Sequence, residues 1–120
     1  MSLLALLIAQ ALPLAPGSPG ERAFMKCYSC HSALPGEHGL PGPNLADVMG
    51  RKAGSLPGFD YSPAFRGLDF HWDRDRLDRF LQNPDSLVPG TTMNAPPLTG
   101  AERAAILDYL SRKIPPETTP

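Results

Sequence analysis

Two cysteines, Cys27 and Cys30, enclose Tyr28 and Ser29 and are followed at once by His31; the chain has no other cysteine. A Cys-x-x-Cys-His run is the attachment pattern of a c-type haem. The spacing has a physical basis. Two thiols one turn apart at a helix end can each form a thioether with a vinyl group of one macrocycle. The adjacent imidazole then lies under the iron. Two other chemistries use similar residues. A redox Cys-x-x-Cys pair belongs with an alternating βαβ pattern, which this sequence lacks. A structural zinc site needs four ligands, yet there is no second cysteine pair, and His38 and His71 do not stand at finger spacing. Haem attachment is the reading carried forward.

An iron held by His31 needs a second axial ligand. Four methionines are present. Met1 lies in an apolar leader, Met25 is too close to His31 in sequence to reach the other haem face, and Met49 ends a short predicted helix where a core role suits it. Met93 lies in a Pro/Gly-rich loop between two predicted helices, and such a loop can wrap the distal face and present a thioether. His38 and His71 are rivals that would give a bis-His centre.

The elements that must position these residues are short. Residues 1–15 are apolar apart from Ser2 and Gln10, below the ~20 residues a membrane span needs. They read as a signal peptide or a short N-terminal anchor, with Ala9-Gln10-Ala11 as a cleavage site, although the positive n-region is missing. Residues 16–114 form one domain and residues 115–120 a mobile tail. Ser18-Pro19-Gly20-Glu21 carries the signals of a helix start, predicting a helix to about Cys30 with Phe24 and Cys27 or Tyr28 on one face. Asn44 predicts a short helix over residues 45–49, and Ser62-Pro63 a second one ended by Gly67. The clearest helix spans residues 73–83, with Leu77, Phe80 and Leu81 as its stripe and Pro84 as its stop. A non-helical stretch follows over residues 87–98. Thr99-x-x-Glu102 is a capping box for a last helix to about Lys113, burying Ile106, Tyr109 and Leu110. The fold class is all-α: three main helices and two short ones, with apolar stripes too few to close a core alone. Fifteen prolines and 11 glycines suit a loop-rich globule. A net charge of −1 gives no reason to invoke nucleic acid.

The sequence resembles the class I, mitochondrial-type cytochrome c family over about residues 20–113. Beyond Cys27-x-x-Cys30-His31, Gly42-Pro43-Asn44-Leu45 is similar to the family's G-P-N-L, and residues 50–54 and 57–61 to its G-R-x-x-G…P-G-F-x-Y stretch. Trp72, Asn83-Pro84 and Pro89-Gly90-Thr91-Thr92-Met93 also stand at family positions. The resemblance implies haem c bonded through Cys27 and Cys30, and iron held by His31 and Met93. Pro43 would present its carbonyl to the His31 ring N–H. Arg51, Tyr61, Trp72 and Thr91 would bond a haem propionate. Gly20 and Phe24 would meet Ile106 and Tyr109 where the first and last helices cross. Three departures stand out: Phe80 replaces a tyrosine that donates to the ligand sulfur, Phe65 replaces an asparagine near the haem, and Ala95 replaces an aromatic residue. The docking lysines are largely missing, with Lys26 kept and Asp85, Ser86 and Thr92 at lysine positions.

The expected function is a one-electron carrier without catalytic residues. It would be a monomer in the periplasm, meeting redox-protein donors and acceptors, and touching a membrane only if the N-terminal segment is retained. An open-site haem protein with peroxidase-like or ligand-binding activity, and a fixed cytochrome subunit of a larger oxidoreductase, are the alternatives.

Overall fold

The computed structural model describes residues 17–112. The leader, the tail and the expected helix end at Lys113 lie outside the described residues. Helix α1 (Pro19–Phe24) starts where expected: the Ser18 hydroxyl accepts from the Glu21 N–H at 3.2 Å, and Pro19 occupies a position where a missing N–H costs nothing. The expected single helix to Cys30 tightens instead after Phe24. A 3₁₀ turn over Met25–Cys27 is followed by turns in which the Cys27 carbonyl accepts from both Cys30 N (3.0 Å) and His31 N (2.9 Å). The tightening places Cys27 inward and leaves Tyr28 exposed.

Helix α2 (Arg74–Gln82) is capped by the Asp73 carboxylate and buries Leu77, Phe80 and Leu81. Asn83 is extended at φ −159°, as a residue before proline prefers. Pro84 ends α2 but also opens a four-residue helix, α3 (Pro84–Leu87), which the sequence reading did not anticipate. Proline cannot continue a helix, yet it suits a first turn. Helix α4 (Gly100–Leu110) opens with the predicted capping box, Thr99 and Glu102 bonding each other's backbone N–H. It crosses α1 with the Phe24 and Tyr109 rings 5.3 Å apart and Ile106 and Leu107 fully buried. Gly20 is buried on α1 beside Ala23 and Phe24.

The expected helix over residues 45–49 does not form. The Asn44 side-chain oxygen accepts from the Ala46 N–H at 2.7 Å, and Asp47 sits at φ +59°. Arg51 takes the Asn44 and Ala46 carbonyls at 2.8 and 2.6 Å, which a helix would have used. This is the competition between local side-chain bonds and the helix that Asn and Asp favour. The second short element is a 3₁₀ turn, Pro63–Phe65. Gly54, at φ +72°, lies against it so closely that a Cβ would stand 2.5 Å from the Phe65 carbonyl oxygen. One pairing was not read from the sequence: residues 50–53 run antiparallel to residues 70–72, through Gly50 N to Trp72 O, Trp72 N to Arg51 O and Ala53 N to Phe70 O. It sets Arg51 beside Trp72. No described helix is long and apolar enough to cross a membrane.

Candidate functional site

The helices and loops surround a cavity of about 800 Å³, toward the upper end of the ~300–1,000 Å³ of small-molecule sites. All nine residues singled out from the sequence line it: Cys27, Cys30, His31, Pro43, Arg51, Tyr61, Trp72, Thr91 and Met93. His38 and His71 do not, and both are exposed. Met49 packs against the core instead.

His31 is the most tightly determined member. Its ring is buried, and Nδ1 lies 2.8 Å from the Pro43 carbonyl oxygen. A carbonyl only accepts, so Nδ1 carries the proton and Nε2 keeps its lone pair. Burial lowers the imidazole's pKa, and the Pro43 carbonyl works against that; the balance favours the neutral ring, the form that ligates a metal. Gly42 presses its backbone against the same ring. A Cβ there would meet Cε1 at 2.3 Å, Nδ1 at 2.6 Å and Nε2 at 2.8 Å. Gly42 N also donates to the Cys30 carbonyl at 2.7 Å. Gly42 belongs to the Gly-Pro-Asn-Leu run, which by itself implies no role for it; the close approach is a tertiary contact that no spacing announces.

The thiols are unlike an activated redox pair. Burial pushes the Cys27 thiol up, Cys30 adds to this and Lys26 opposes it, whereas reactive cysteines sit where the thiolate is favoured. Among the described residues no three His, Cys, Asp or Glu side chains gather as a metal site. Zinc and dithiol chemistry therefore fit poorly. A covalently held, largely apolar planar group with one imidazole beneath it fits well.

At the other end of the cavity Arg51 is half-buried, its pKa lowered by desolvation with Tyr61 and Asp47 opposing. Two of its N–H groups serve the Asn44 and Ala46 carbonyls; a guanidinium has five donors, so three remain. The Tyr61 hydroxyl accepts from Leu56 N at 3.0 Å and can still donate. Thr91 Oγ1 accepts from Met93 N at 3.2 Å, tying the thioether residue to its own loop. An aromatic series lines the wall between, Tyr61 to Phe65 to Phe80 to Trp72, with centroids 5.6, 6.1 and 5.3 Å apart. The departures Phe65, Phe80 and Ala95 all border the cavity. The sequence reading passed over Phe59, Ser62 and Asn94, which border it as well.

The chain is 43% identical over 91 residues to a cytochrome c2 of Rhodomicrobium vannielii, an alignment covering 74% of this chain and 73% of that protein. It is 39% identical to the cytochrome c of Sesamum indicum over 76% of this chain and 84% of that one. Among solved structures it superposes on cytochrome cH from Methylobacterium extorquens with a TM-score of 0.70 at 35% identity, covering 79% of this chain and 96% of that one. No family model matches the chain.

Proposed function

The chain belongs to the class I cytochrome c family and is an electron carrier with haem c bonded to Cys27 and Cys30, and on that premise we propose that His31 and Met93 are the two axial ligands. The observation that carries this is the His31 ring: buried, protonated at Nδ1 by the Pro43 contact, and offering Nε2 to a cavity that Met93 also lines. Arg51, Tyr61, Trp72 and Thr91 hold the propionate end, because a partly buried carboxylate needs charge-assisted and neutral donors together. When bound, the haem supplies a one-electron ferric/ferrous couple whose potential methionine ligation raises.

The chain's own residues do the rest. Pro43 and Gly42 fix the plane of the imidazole, so little has to move between oxidation states. Phe65, Phe80 and Trp72 exclude water from the wall. Thr91 keeps Met93 in place.

The carrier acts as a periplasmic monomer, its export being supported by the apolar residues 1–15. Its encounters with redox-protein donors and acceptors depend weakly on salt. Lys26, beside Cys27, is engaged by Glu102 at 2.9 Å, and Asp85 is turned to the Gly90 N–H at 2.7 Å; with charges of both signs around the cavity, Lys26 and Arg66 beside Asp60, steering is slight. Rates of electron exchange that fell steeply as salt was added would contradict this.

The ligand assignment is tested on exported, matured protein by a pyridine-haemochrome assay with visible spectra of both oxidation states. The expected result is covalent haem c, a ferric charge-transfer band of methionine–iron bonding that Met93→Ala removes, and slow binding of carbon monoxide to the reduced form. Rapid carbon monoxide binding by the unaltered protein would place Met93 off the iron and turn the reading toward an open-site protein.

A further inference from the structure

The loop that carries Met93 is secured unevenly. On its N-terminal side, Val88 is fully buried, Thr91 N donates to the Val88 carbonyl at 3.1 Å, Gly90 N to Asp85 and Met93 N to Thr91 Oγ1. Beyond Met93, Asn94, Ala95, Pro96 and Pro97 make no hydrogen bond to another described residue. Pro96 and Pro97 have no N–H to give. The first hydrogen bond on this side is at Leu98, whose side chain packs against the core and whose carbonyl accepts from Arg103 Nη1 at 3.3 Å.

Arg103 is held in turn. Its Nε donates to Asp78 Oδ1 at 2.8 Å, and its side chain is only 21% exposed, so this pair is screened less than the ion pairs around it. Asp78 Oδ2 accepts from Gln82 Nε2 at 2.9 Å, which fixes the carboxylate on α2. The same helix sets Phe80 into the cavity wall. A continuous set of polar contacts, Gln82 to Asp78 to Arg103 to Leu98, thus links the wall helix to the far end of the methionine loop.

We propose that Arg103, aligned by Asp78, is a positioning residue that sets how readily Met93 leaves the iron. It touches neither haem nor sulfur. It fixes the point from which the unbonded residues 94–97 span back to Met93. Without it the loop's first hydrogen bond on that side is at the Thr99 N–H, bonded to Glu102 at 2.9 Å, and the spanning segment lengthens. The Met93 side of the site then opens more often, while the His31 side is untouched. This rests on Met93 being the ligand.

The test is imidazole binding to the ferric haem-loaded full chain, followed by stopped-flow absorbance and paired with urea denaturation. Arg103→Gln and Asp78→Asn are compared with Arg74→Gln, which removes another α2–α4 ion pair, Arg74 to Asp108 at 2.9 Å, away from the loop. Met93→Ala sets the limit for an absent ligand. The expected result is imidazole entry on the order of tenfold faster in Arg103→Gln, the rate equivalent of one charge-assisted hydrogen bond. Asp78→Asn should follow in the same direction, and Arg74→Gln should shift the urea midpoint with entry unchanged. Asp78→Asn carries the test if Arg103→Gln does not fold. Entry unchanged in both variants while Met93→Ala is fast overturns the inference alone, as does equal acceleration in Arg74→Gln. Entry in Met93→Ala as slow as in the parent overturns the ligand assignment itself, and the inference with it.

Discussion

The two sides of the cavity are built to different standards. The His31 side is fixed by backbone: His31 N to Cys27 O, Gly42 N to Cys30 O and Leu45 N to Ser32 O are 2.7–2.9 Å bonds across the attachment turn and the loop beneath it. Asn44 Nδ2 adds bonds to the Leu34 and Glu37 carbonyls, at 2.7 and 2.9 Å. The imidazole sits in this frame with one ring nitrogen used and one free. The Met93 side has local turns before that residue and, among the described residues, no hydrogen bond for four residues after it. With the proposed ligands, a site made this way would have one fixed ligand and one adjustable ligand. Changes of potential and of ligation should originate on the methionine side, and breaking the histidine side should abolish the site altogether.

Gly42→Ala gives the largest expected effect. Its φ lies outside the left-handed region, so the backbone would accept alanine; the conflict is steric. The added methyl would stand 2.3–2.8 Å from three ring atoms. Either the imidazole rotates off the Pro43 carbonyl or the loop withdraws, and overpacking of this kind costs on the order of 1–3 kcal/mol besides the misplaced ligand. The expected outcome is a severe loss of matured, coloured protein, measured as haem-to-protein ratio after export. A Gly42→Ala protein with full haem content and an unaltered spectrum would show that the histidine side is as adaptable as the other.

A smaller effect should come from the adjustable side. Phe80 is buried against Trp72 and Phe65, and it stands where the family often has a tyrosine donating to the ligand sulfur. Phe80→Tyr restores that donor. A hydrogen bond worth about 1 kcal/mol corresponds to a shift on the order of 40 mV for a one-electron couple. The sign is upward, since the donor's positive end draws electron density from the sulfur and disfavours the ferric iron. Voltammetry of the purified variant measures it. An unchanged potential with lowered stability would mean that the hydroxyl is buried without a partner and the sulfur lies out of its reach.

The same contrast governs what could be read in the sequence. The attachment run, the helix starts at Ser18 and Thr99 and the stripe on residues 77, 80 and 81 rest on local chemistry. Capping, periodicity and ligand spacing act within a few residues, so they were legible. The rest lies where a side chain competes for the backbone or where the partner is distant in sequence. Asn44 has the chemistry of a helix cap, but its oxygen bonds Ala46 N instead, and Arg51, five and seven residues beyond the carbonyls it takes, occupies the acceptors that the helix requires. Pro84 announces a stop in the sequence, whereas a proline's role as a start depends on where the next segment is packed. The pairing of residues 50–53 with 70–72 carries no alternating pattern, being held by what surrounds it. Gly42's contact with His31 is between neighbours in space whose closeness arises only once the loop has turned back. The family resemblance named nine residues, and all nine line the cavity. It could not supply how unequally the two sides hold them.

One contact spans both sides, and it yields the smallest and most specific prediction. Glu102 accepts from the Thr99 N–H at the end of the methionine loop and from Lys26, one residue before Cys27. Lys26 first, and then the Thr99 N–H, hold its carboxyl below the usual carboxylate range. A depressed carboxyl binds a proton less readily folded than unfolded. Its stabilising contribution is therefore complete above the unfolded value and disappears as pH falls through the folded one. In that window the unfolded chain takes up more protons, so stability must decline with falling pH. Glu102→Gln should flatten this part of the profile in urea titrations of the haem-loaded protein. Lys26→Gln should flatten it partly, because the Thr99 contact remains. If the bond truly couples the two sides, Glu102→Gln should also speed ferric imidazole entry slightly at neutral pH, less than Arg103→Gln does, since an exposed pair of this kind contributes little. An acceleration equal to that of Arg103→Gln would mean that the methionine loop is held from the cysteine side, and the division between a rigid and an adjustable half would have to be redrawn along the Lys26–Glu102 contact.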